Sequence, residues 1–506
     1  MLAETQEKQK YGKVLDEMAK SLDLTENQFK EAEDRYKAVG EYLSRDGSSL
    51  ASFNPSIEPQ GSFLYGTMVR PILDDGHYDI DLICILENLP LTDTQKDLKK
   101  KVGKELKTGR YEHLLDEEGQ RCWTLNYAEG TKFHMDILPS TPDQFRRTIY
   151  EGRVDESYYN YALRMTDKES ESYESSNRMD WPKTNPKGYS KWFKDQMRPQ
   201  YDKLIKEAAL QLNASVEDVP HWKVKTPLQR AIQILKRHRD IMFGGDDEKP
   251  ISIILTTLAA KAYRGESNVF DALKTILGGM EHYIEEEFNG YNRIKVVKNP
   301  VNPEENFADK WEHNPTLKDN FYLWLAKAKT DLIEVFDLGT IYSAKSQLET
   351  SMGKSLVENA YSKIGVPTLS QPRKARNLPV ATHKQAPKWP VVKTHSVSVI
   401  GRYNENGTWK YISEGTVIPK GCSLMFAANT SVTGNFEVFW QIVNTGYEAQ
   451  MAKCLRGQIL HSKTAGRGGL KQKEATAYKG THWIECFIVQ GGVCVARSGE
   501  FIVEIG

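Results

Sequence analysis

The sequence has no excess of charge of either sign. It contains 68 basic residues (Lys and Arg) and 68 acidic ones, so its formal net charge at pH 7 is zero. Proteins that bind nucleic acid over their whole surface are strongly basic. That class is therefore excluded, and any site for a phosphate-bearing ligand has to be a local patch.

Long apolar runs and a secretory leader are also missing. The longest apolar stretch, residues 251–260, contains a serine and two threonines and is far shorter than the roughly 20 residues that a helix needs to cross a bilayer. The chain starts Met1-Leu2-Ala3-Glu4, which does not follow the pattern of a signal peptide. We therefore expect a cytoplasmic protein that makes no contact with a membrane.

Cysteine is scarce, and no pair has the spacing of zinc ligands. In a cytoplasmic chain we expect the cysteines to be reduced and packed. A disulfide between Cys486 and Cys494 across a hairpin is the alternative. The six cysteines are Cys84, Cys122, Cys422, Cys454, Cys486 and Cys494.

Two predicted strands carry acids on one face. Residues 78–86 predict a buried strand whose acids, Asp79 and Asp81, project to the same side. Residues 132–139 predict a second strand with Asp136 on its polar face. If the strands are neighbours, three carboxylates converge, which is costly unless a cation lies among them. Mg²⁺ prefers oxygen ligands and usually keeps substrate phosphates in its shell, so the pattern indicates two-metal phosphoryl transfer.

A Gly-Ser pair precedes the first of these strands. Gly61 lets the backbone approach a ligand closely, and Ser62 begins a helix that is predicted to extend to Val69. The N-terminus of a helix offers free amide donors and a favourable dipole to a phosphate. Surface turns also carry Gly-Ser and Asp-x-Asp, so each motif alone is a weak signal. The ordered set indicates a nucleotide site much more strongly.

In this order the motifs resemble those of the polymerase-beta-like nucleotidyltransferases. The stretches GSFLYGTMVRP (61–71), DIDL (79–82) and FHMDILP (133–139) are similar to the bacterial cGAS- and oligoadenylate-synthase-like branch, the SMODS or CD-NTase family. The resemblance implies an α+β fold, with a polymerase-beta-like core of mixed sheet and helices and a helical lobe. It also implies two bound Mg²⁺ ions, with Mn²⁺ as the alternative.

The resemblance gives these residues their roles. Asp79 and Asp81 would hold both metals, and Asp136 would complete the first metal site and help to activate the acceptor hydroxyl. Gly61 and Ser62 would position the donor triphosphate.

Two further residues match positions that hold the triphosphate in the resembling enzymes. Lys236 lies on a helix predicted over residues 227–243, and Ser252 lies near the start of the next predicted helix. A lysine fits because a triphosphate carries more negative charge than two divalent ions neutralise. The neighbouring Arg237 and Arg239 are either ligands or part of a solvated helix face.

The pattern along the chain predicts four parts. The N-terminal residues read as two helices that brace the core, and helix and strand then alternate as far as Pro139. The pattern turns helical from Asp155, and a proline-rich basic stretch precedes an all-β region. Two turn-rich segments, 181–189 and 299–311, resemble further family signatures. For 181–189, a structural elbow and a nucleotide contact are the alternatives. The parts are a catalytic core at 1–150, a helical lobe at 151–365, a linker at 366–390 and an all-β domain at 391–506.

The last part predicts a β-sandwich. Segments rich in β-branched and aromatic residues alternate there with Gly or Asn. The stretches FWQIVNTG (439–446), YKGTH (478–482) and ARS (496–498) resemble the AGS-C sensor domain that is attached to some SMODS enzymes. The predicted strands are 396–403, 423–429, 436–444, 481–489 and 494–505.

A window without acids between Glu448 and Glu474 concentrates basic residues around the glycines at 466–469. Such a cationic loop suits a phosphate-bearing or nucleic-acid ligand, and aromatic residues nearby could stack on bases. A loop without a ligand, with these aromatics in the core, is the alternative. The basic residues are Lys453, Arg456, Lys463, Arg467, Lys471 and Lys473, and the aromatic ones are Trp440, Tyr478, His482 and Trp483.

We therefore predict a Mg²⁺-dependent, template-independent nucleotidyltransferase that joins NTPs or dNTPs into a cyclic or short linear oligonucleotide. The resemblance implies a second messenger of bacterial anti-phage defence that acts on a downstream effector. It also implies control by a C-terminal domain that senses a phage-derived or nucleic-acid ligand, and it is compatible with an oligomer. One alternative is nucleotidyl transfer to an RNA end or a protein side chain, against which the neutral net charge argues. The other is a catalytically inactive scaffold whose C-terminal domain binds a nucleotide or nucleic-acid ligand, against which the intact acids argue.

Overall fold

The fold was analysed in a computed structural model. It describes residues 2–72, 78–127, 133–212, 214–338, 341–365, 381–392, 394–412, 416–462 and 466–506. The chain divides into two compact units, residues 1–334 with 351–353 and residues 335–350 with 354–506. The four-part division predicted from the sequence stays a prediction, and most of its linker lies outside the described residues.

The first unit combines helices with a central sheet. Its helices are α1 (Leu2–Ser21), α2 (Glu26–Ser44), α3 (Gly61–Tyr65), α4 (Gln95–Lys107), α5 (Arg146–Tyr150), α6 (Glu156–Tyr159), α7 (Pro186–Leu212), α8 (Pro227–Phe243), α9 (Ser252–Ala262), α10 (Val269–Gly279) and α11 (Pro315–Leu332). Its strands are β1 (Pro55–Pro59), β2 (Tyr78–Leu86), β3 (Trp123–Tyr127), β4 (Phe133–Pro142), β5 (Leu163–Met165), β6 (Lys183–Thr184), β7 (Glu285–Phe288), β8 (Arg293–Val296), β9 (Lys298–Asn299) and β10 (Asn302–Asn306). Short 3₁₀ helices lie at Ala51–Phe53, Glu112–Leu114, Arg178–Asp180, His221–Lys223, Met280–Tyr283 and Asp309–Trp311.

A six-stranded mixed sheet forms the centre of this unit. The strand order is β1-β2-β4-β5-β6, and β3 also pairs with β4. Strands β2 and β4 run parallel, whereas every other pair in the sheet is antiparallel. The two strands that carry the predicted acids are therefore direct neighbours.

One face of the β2–β4 pair is fully apolar. Its side chains are buried together with those of α2 and α4, whose apolar residues recur at helical spacing. Because side chains alternate along a strand, the intervening acids and His134 lie on the opposite face. The buried strand residues are Ile80, Leu82, Met135 and Ile137.

The helices follow the sequence patterns closely. The predicted capping box is confirmed, since Gln28 N donates to Thr25 Oγ1 at 3.3 Å and Thr25 N donates to Gln28 Oε1 at 3.0 Å. The bounds of α8 equal those predicted. Helix α1 contacts α8 and α10, and the Tyr11 hydroxyl donates to the Leu332 carbonyl at 3.0 Å. The first predicted helix thus packs on the helical part of the unit, whereas α2 packs on the sheet.

The second unit contains two helices and a β-sandwich. The helices are α12 (Ile341–Met352), of which Ser351 and Met352 are grouped with the first unit, and α13 (Lys354–Lys363). The other elements are β11 (Val397–Glu405), β12 (Thr408–Tyr411), β13 (Val417–Ile418), β14 (Ser423–Thr430), β15 (Glu437–Val443), α14 (Tyr447–Met451), β16 (Ile459–His461), a 3₁₀ helix at Gly466–Leu470, β17 (Lys471–Ala475), β18 (Gly480–Gln490), β19 (Val493–Arg497) and β20 (Phe501–Ile505). A further 3₁₀ helix, Glu334–Leu338, spans the boundary between the units.

Two sheets form the sandwich. One has the order β12-β11-β14-β17 and the other β13-β20-β18-β15-β16, with β19 on β18. Inward-facing residues of both sheets make one core. The predicted fold class is thus confirmed in both of its parts. The prediction of one strand over 494–505 is wrong, because the chain turns at Gly499 (φ +75°) and forms β19 and β20.

The aromatic residues proposed for stacking are mostly internal. Trp440 and Trp483 are buried, and the Trp440 indole N–H donates to the Gly469 carbonyl at 2.9 Å. Residues 463–465 of the basic window lie outside the described residues.

All six cysteines are free, and Cys454 is the exposed one. Within the described ranges, no helix has the length and apolar character required to cross a membrane.

Asp23 links the loop between α1 and α2 to α8. Its carboxylate accepts hydrogen bonds from Lys225 and Arg230, each at 2.5 Å, and from Gln233 at 2.8 Å. Burial alone would raise the pKa of Asp23, but the charges of Lys225 and Arg230 outweigh it and hold the pKa below its usual range.

We expect Asp23→Asn to lower the free energy of unfolding by about 3 kcal/mol at neutral pH, because it leaves two buried cations without their partner. The folded-state pKa is depressed, so the ionised carboxylate stabilises the fold above the unfolded value of 3.8, and this stabilisation is lost as the pH falls below it. Urea unfolding at about pH 7, 5 and 3 measures the difference, which should be constant between the first two and shrink at the last.

Asp16→Asn is the matched control, since Asp16 pairs with Lys20 on a partly exposed face of α1. Its effect should stay within about 0.5 kcal/mol. Equal losses in the two variants would contradict the role assigned to Asp23.

Candidate active site

Two carboxylates stand side by side on neighbouring parallel strands. Asp81 of β2 lies opposite Asp136 of β4 in the register, and Asp79 lies opposite His134. Thr124, on the antiparallel neighbour β3, donates its hydroxyl to Asp136 Oδ1 at 2.5 Å. Asp136 is thereby held in one orientation beside Asp81.

Asp79 shares this face but extends into solvent. Its side chain is 76% exposed, and its Oδ1 lies 3.6 Å from His134 Nδ1. In the described part of the chain, no three His, Cys, Asp or Glu side chains are already grouped as metal ligands. The structure thus brings Asp81 and Asp136 together and leaves Asp79 at the rim.

Gly61 packs directly over Asp81. A Cβ at this position would lie 1.9 Å from Asp81 Oδ2, and the backbone has φ +61°, which side chains other than glycine rarely adopt. The preceding Gln60 N donates to the Asp81 carbonyl at 2.7 Å. The glycine of the Gly-Ser motif is therefore required both for its conformation and for space above the carboxylate.

The carboxylate pair fits a hard divalent cation. Burial, and next the charges of Asp136 and Asp79, together raise the pKa of Asp81 to about 6. A cation among these oxygens would remove that repulsion. The donors are all carboxylate oxygens, which Mg²⁺ and Mn²⁺ prefer.

The helix of the Gly-Ser motif is shorter than predicted. It ends at Tyr65, and Gly66 follows with φ +65°. Ser62 is its second residue, and the Ser62 carbonyl accepts from Thr67 N at 3.0 Å. The predicted extension to Val69 is wrong, because the chain turns at Gly66 and continues as an irregular segment.

A polar stripe on α8 binds this irregular segment through its backbone. Gln229 Nε2 donates to the Tyr65 carbonyl at 2.9 Å and Gln233 Nε2 to the Met68 carbonyl at 2.8 Å. Arg237 Nη2 donates to the Arg70 carbonyl at 2.5 Å. With Lys236 these residues are spaced i, i+4, i+7 and i+8, which is one face of a helix. The sequence analysis described only the apolar stripe of α8 and missed this second one.

Lys236 belongs to the same stripe. Its Nζ donates to the Thr67 carbonyl at 3.1 Å and lies 3.2 Å from Thr67 Oγ1. Burial, and next the charge of Arg239, lower the pKa of Lys236 to about 7. Lys236 is thus attached to the segment that follows the Gly-Ser helix.

Ser252 begins α9 and is held by Arg239. The Ser252 hydroxyl accepts from Arg239 Nη1 at 2.9 Å, and the same guanidinium nitrogen donates to the Pro250 carbonyl at 3.0 Å. Arg237 and Arg239 are both buried. The interpretation of these arginines as a solvated face is therefore wrong.

A cleft of about 920 Å³ opens in front of Gly61 and Asp81. Residues of the two turn-rich segments, 181–189 and 299–311, form much of its wall. In the second segment, Glu305 accepts from Asn299 Nδ2 at 2.8 Å, and burial raises the pKa of this carboxyl.

Segment 181–189 also bends the chain. Asn185 Oδ1 accepts from Gly188 N at 2.9 Å, and Asn185 Nδ2 donates to the Tyr158 carbonyl at 3.0 Å. The segment is thus an elbow whose surface lines the cleft, and the two interpretations of it are compatible.

The wall of the cleft also contains an arginine that the sequence analysis did not identify. Arg121 lines it with a half-exposed side chain, and its Nε donates to Asp167 Oδ2 at 2.7 Å. Gln120, next to it, donates to Asp167 Oδ1 at 2.9 Å. The available signal was position alone: both residues come just before β3, which pairs with the strand of Asp136.

Comparison with known proteins gives the family. Residues 10–160 match the Second Messenger Oligonucleotide or Dinucleotide Synthetase domain (SMODS), and residues 380–506 match the Adenylyl/Guanylyl and SMODS C-terminal sensor domain (AGS-C). Over 322 residues the chain is 30% identical to a protein named c-di-GMP synthase from Roseivirga ehrenbergii. The aligned region covers 63% of this chain and 78% of that protein. The chain belongs to the SMODS family.

Two further SMODS comparisons agree. The cyclic dinucleotide synthase CdnG of Bradyrhizobium diazoefficiens is 26% identical to this chain over 317 residues. The aligned region covers 59% of this chain and 69% of that protein. The structure of CdnG in complex with GTP superposes with a TM-score of 0.52 at 22% identity, covering 70% of this chain and 98% of that one. This superposition shows a shared fold. As a SMODS enzyme with an AGS-C domain, the protein is a nucleotidyltransferase, and enzymes of this family use divalent metal ions.

We expect Gly61→Ala to reduce nucleotidyl transfer about 100-fold or more, because the new methyl group has to displace Asp81 Oδ2 and the backbone has to leave φ +61°. Initial rates of product formation measure the loss. Gly47→Ala is the matched control, since a Cβ there has no neighbour within 4 Å. A Gly61→Ala enzyme with the wild-type rate would show that the close approach to Asp81 is not needed.

Proposed function

We propose that the protein joins two nucleoside triphosphates into a cyclic dinucleotide in a divalent-metal-dependent reaction, with Mg²⁺ as the metal. The observation that carries the proposal is the pairing of Asp81 with Asp136 on neighbouring strands, with Asp81 lying under Gly61 at the cleft. The names of the two relatives favour a cyclic dinucleotide over a linear oligomer, and the GTP bound to CdnG favours GTP as one substrate.

In this proposal each residue has one task. Asp81 and Asp136 hold the metal from the two strands, and Asp79 completes the ligand set from the rim. When bound, the ion makes the acceptor hydroxyl more acidic and neutralises charge on the phosphoryl group. Gly61 and Ser62 hold the donor triphosphate at the start of α3, so that alignment and charge neutralisation supply most of the rate gain.

Lys236 and Ser252 support the donor site. Lys236 places a cation against Thr67, next to the Gly-Ser helix, and Arg239 holds Ser252 at the start of α9. We infer that both help to bind the triphosphate. Since its substrates are nucleoside triphosphates, we place the reaction in the cytoplasm.

The product would serve as a second messenger of anti-phage defence that acts on a downstream effector. The description of the matched SMODS domain, which names second messengers, supports the first part. The description of residues 380–506 as a sensor domain supports control of the enzyme by a ligand of this domain.

The proposed function is tested with purified protein, Mg²⁺ and labelled nucleotides. We expect a small product that resists phosphatase and whose mass by mass spectrometry is that of a cyclic dinucleotide, formed only with a divalent ion. Asp79→Asn should lower its formation about 100-fold or more while leaving the unfolding transition unchanged, because Asp79 is exposed.

Asp116→Asn is the matched control. Asp116 is an exposed acid outside the site, and its carboxylate accepts a hydrogen bond from Asn126. A ladder of products that phosphatase degrades would show that the product is linear and not cyclic. Label transferred to added RNA or to protein would support the alternative acceptors. Full activity in Asp79→Asn would contradict the metal site.

Lys236→Met separates substrate binding from chemistry. The variant keeps the aliphatic stem but loses the charged donor, so we expect KM for the nucleotide to rise about tenfold or more with a smaller change in kcat. With a pKa of about 7 in the free enzyme, Lys236 is charged below that value and neutral above it. KM of the wild type should therefore rise from about pH 7 to 9, because an increasing part of the enzyme must take up a proton to bind the triphosphate.

In Lys236→Met this part of the pH dependence should vanish. Lys274→Met, on the exposed side of α10, is the control and should keep the wild-type profile. A variant that loses kcat but not KM would show that Lys236 only fixes the segment around Thr67.

A further inference from the structure

The β-sandwich of the second unit is not completely filled. A cavity of about 290 Å³ remains between the two sheets. Protein interiors are packed as densely as organic crystals, and voids larger than a water molecule are few. The volume is close to the lower limit of small-molecule sites, about 300 Å³. Its apolar lining is Leu424, Phe426, Ile442, Ile484, Val503 and Ile505.

Polar side chains also face the interior of this sandwich. In the β14–β17 register Glu474 pairs with Leu424 and Gln472 with Phe426. Directly paired residues project to the same face of a sheet, so these two polar side chains of β17 face the interior beside buried apolar ones. A sandwich normally places apolar side chains there. A charge at such a position is costly unless it is paired.

Glu474 does have a partner at the mouth of the cavity. Its Oε2 accepts from Arg456 Nη1 at 2.7 Å, and its Oε1 accepts from Gln472 Nε2 at 2.7 Å. Arg456 is 41% exposed and Glu474 is 15% exposed. The ion pair therefore joins the interior to solvent, and its two charges cancel.

The loop that carries Arg456 is fixed by hydrogen bonds. Asn444, just after β15, uses both atoms of its amide: Nδ2 donates to the Cys454 carbonyl at 2.8 Å and Oδ1 accepts from Arg456 N at 2.6 Å. On β18, His482 accepts from Thr445 N at 3.2 Å through Nδ1 and donates from Nε2 to the Tyr478 carbonyl at 2.8 Å. The mouth is thus built before any ligand binds, which lowers the entropic cost of binding.

We propose that this cavity is a binding site for a neutral, planar nitrogen heterocycle of nucleobase size. The apolar floor suits a ring. The compensated ion pair leaves no net charge for a phosphate, which separates this site from the phosphate ligand predicted for the basic window. Arg456 offers donors and Glu474 offers acceptors side by side, which is complementary to a ring edge with a carbonyl next to N–H groups, as in guanine.

The proposal does not depend on the chemistry of the catalytic cleft. Cys454 allows it to be tested in the full-length protein, because this residue lines the mouth and is the exposed one of the six cysteines, all of which lie in the described ranges. The Cys454→Ser variant shows which part of the reaction with a thiol reagent belongs to Cys454, because that part is missing in the variant. Guanosine, purine riboside and inorganic triphosphate are the probes.

We expect guanosine to slow the modification of Cys454 saturably at millimolar concentration or below, and triphosphate not to slow it. Purine riboside lacks the carbonyl and the N–H groups, so about tenfold more should be needed for the same protection. Glu474→Gln should remove most of this difference between the two nucleosides, since the variant loses the ionised acceptor.

Ala477→Trp blocks the mouth from an exposed loop position that lines the cavity. It should abolish protection, whereas Ala452→Trp, which is also exposed but lies outside the lining, should not. Thermal unfolding checks that both tryptophan variants fold. The protection of Cys454 by purine riboside in the folded Glu474→Gln variant is a second measurement of binding in the cavity. Protection that survives in folded Ala477→Trp, protection by triphosphate alone, or no protection by guanosine would each overturn the proposal.

Discussion

The contact between Asp81, Asp136 and the backbone at Gly61 is the constraint on which the candidate site depends. Two carboxylates on adjacent parallel strands repel each other, and burial makes the repulsion larger, as the raised pKa of Asp81 indicates. Such a pair is stable only if a cation or a proton compensates it. Because Gly61 occupies the space directly above Asp81, the backbone of the Gly-Ser motif and the carboxylate pair form one unit.

This unit is held in place by groups that do not face the cleft. Helix α8 donates side-chain hydrogen bonds to carbonyls of the segment between the Gly-Ser helix and β2, and Asp23 in turn binds Gln233 of the same helix. A buried donor is stabilised when it finds an acceptor, and Gln233 and Arg237 each donate to a backbone carbonyl outside regular structure, at Met68 and Arg70. The carbonyls of the irregular segment therefore depend on the donors of the polar stripe, and these donors depend on the carbonyls. Local sequence patterns around the Gly-Ser motif do not reveal this dependence.

The sequence predicted the elements with strong periodicity and the order of the motifs. Strand β2 and helix α8 have the predicted bounds, because an apolar strand and a capped amphipathic helix are specified by local residues alone. The end of α3 was missed because a glycine within a helical pattern is tolerated as well as being a common helix end. The hydrogen bond from Gln229 to the Tyr65 carbonyl, which favours the end at this point, comes from a residue far away in sequence. Arg121 and the polar stripe of α8 were missed for the same reason: their partners lie on other elements.

Register also explains why the interior of the sandwich was harder to interpret. The sequence around Glu474 alternates charged and polar residues, which reads as an exposed loop, and only pairing with β14 shows that Gln472 and Glu474 face inward. The same rule places Asp81 and Asp136 together in the first unit. In both places, polar side chains occupy the interior at positions where an apolar residue would pack better and stabilise the fold more. The difference lies in charge: Asp81 and Asp136 repel each other and call for a cation, whereas Glu474 is paired with Arg456, which leaves room for an uncharged ring. Buried polarity thus locates each site, and the balance of charge at that site determines the class of ligand it can accept.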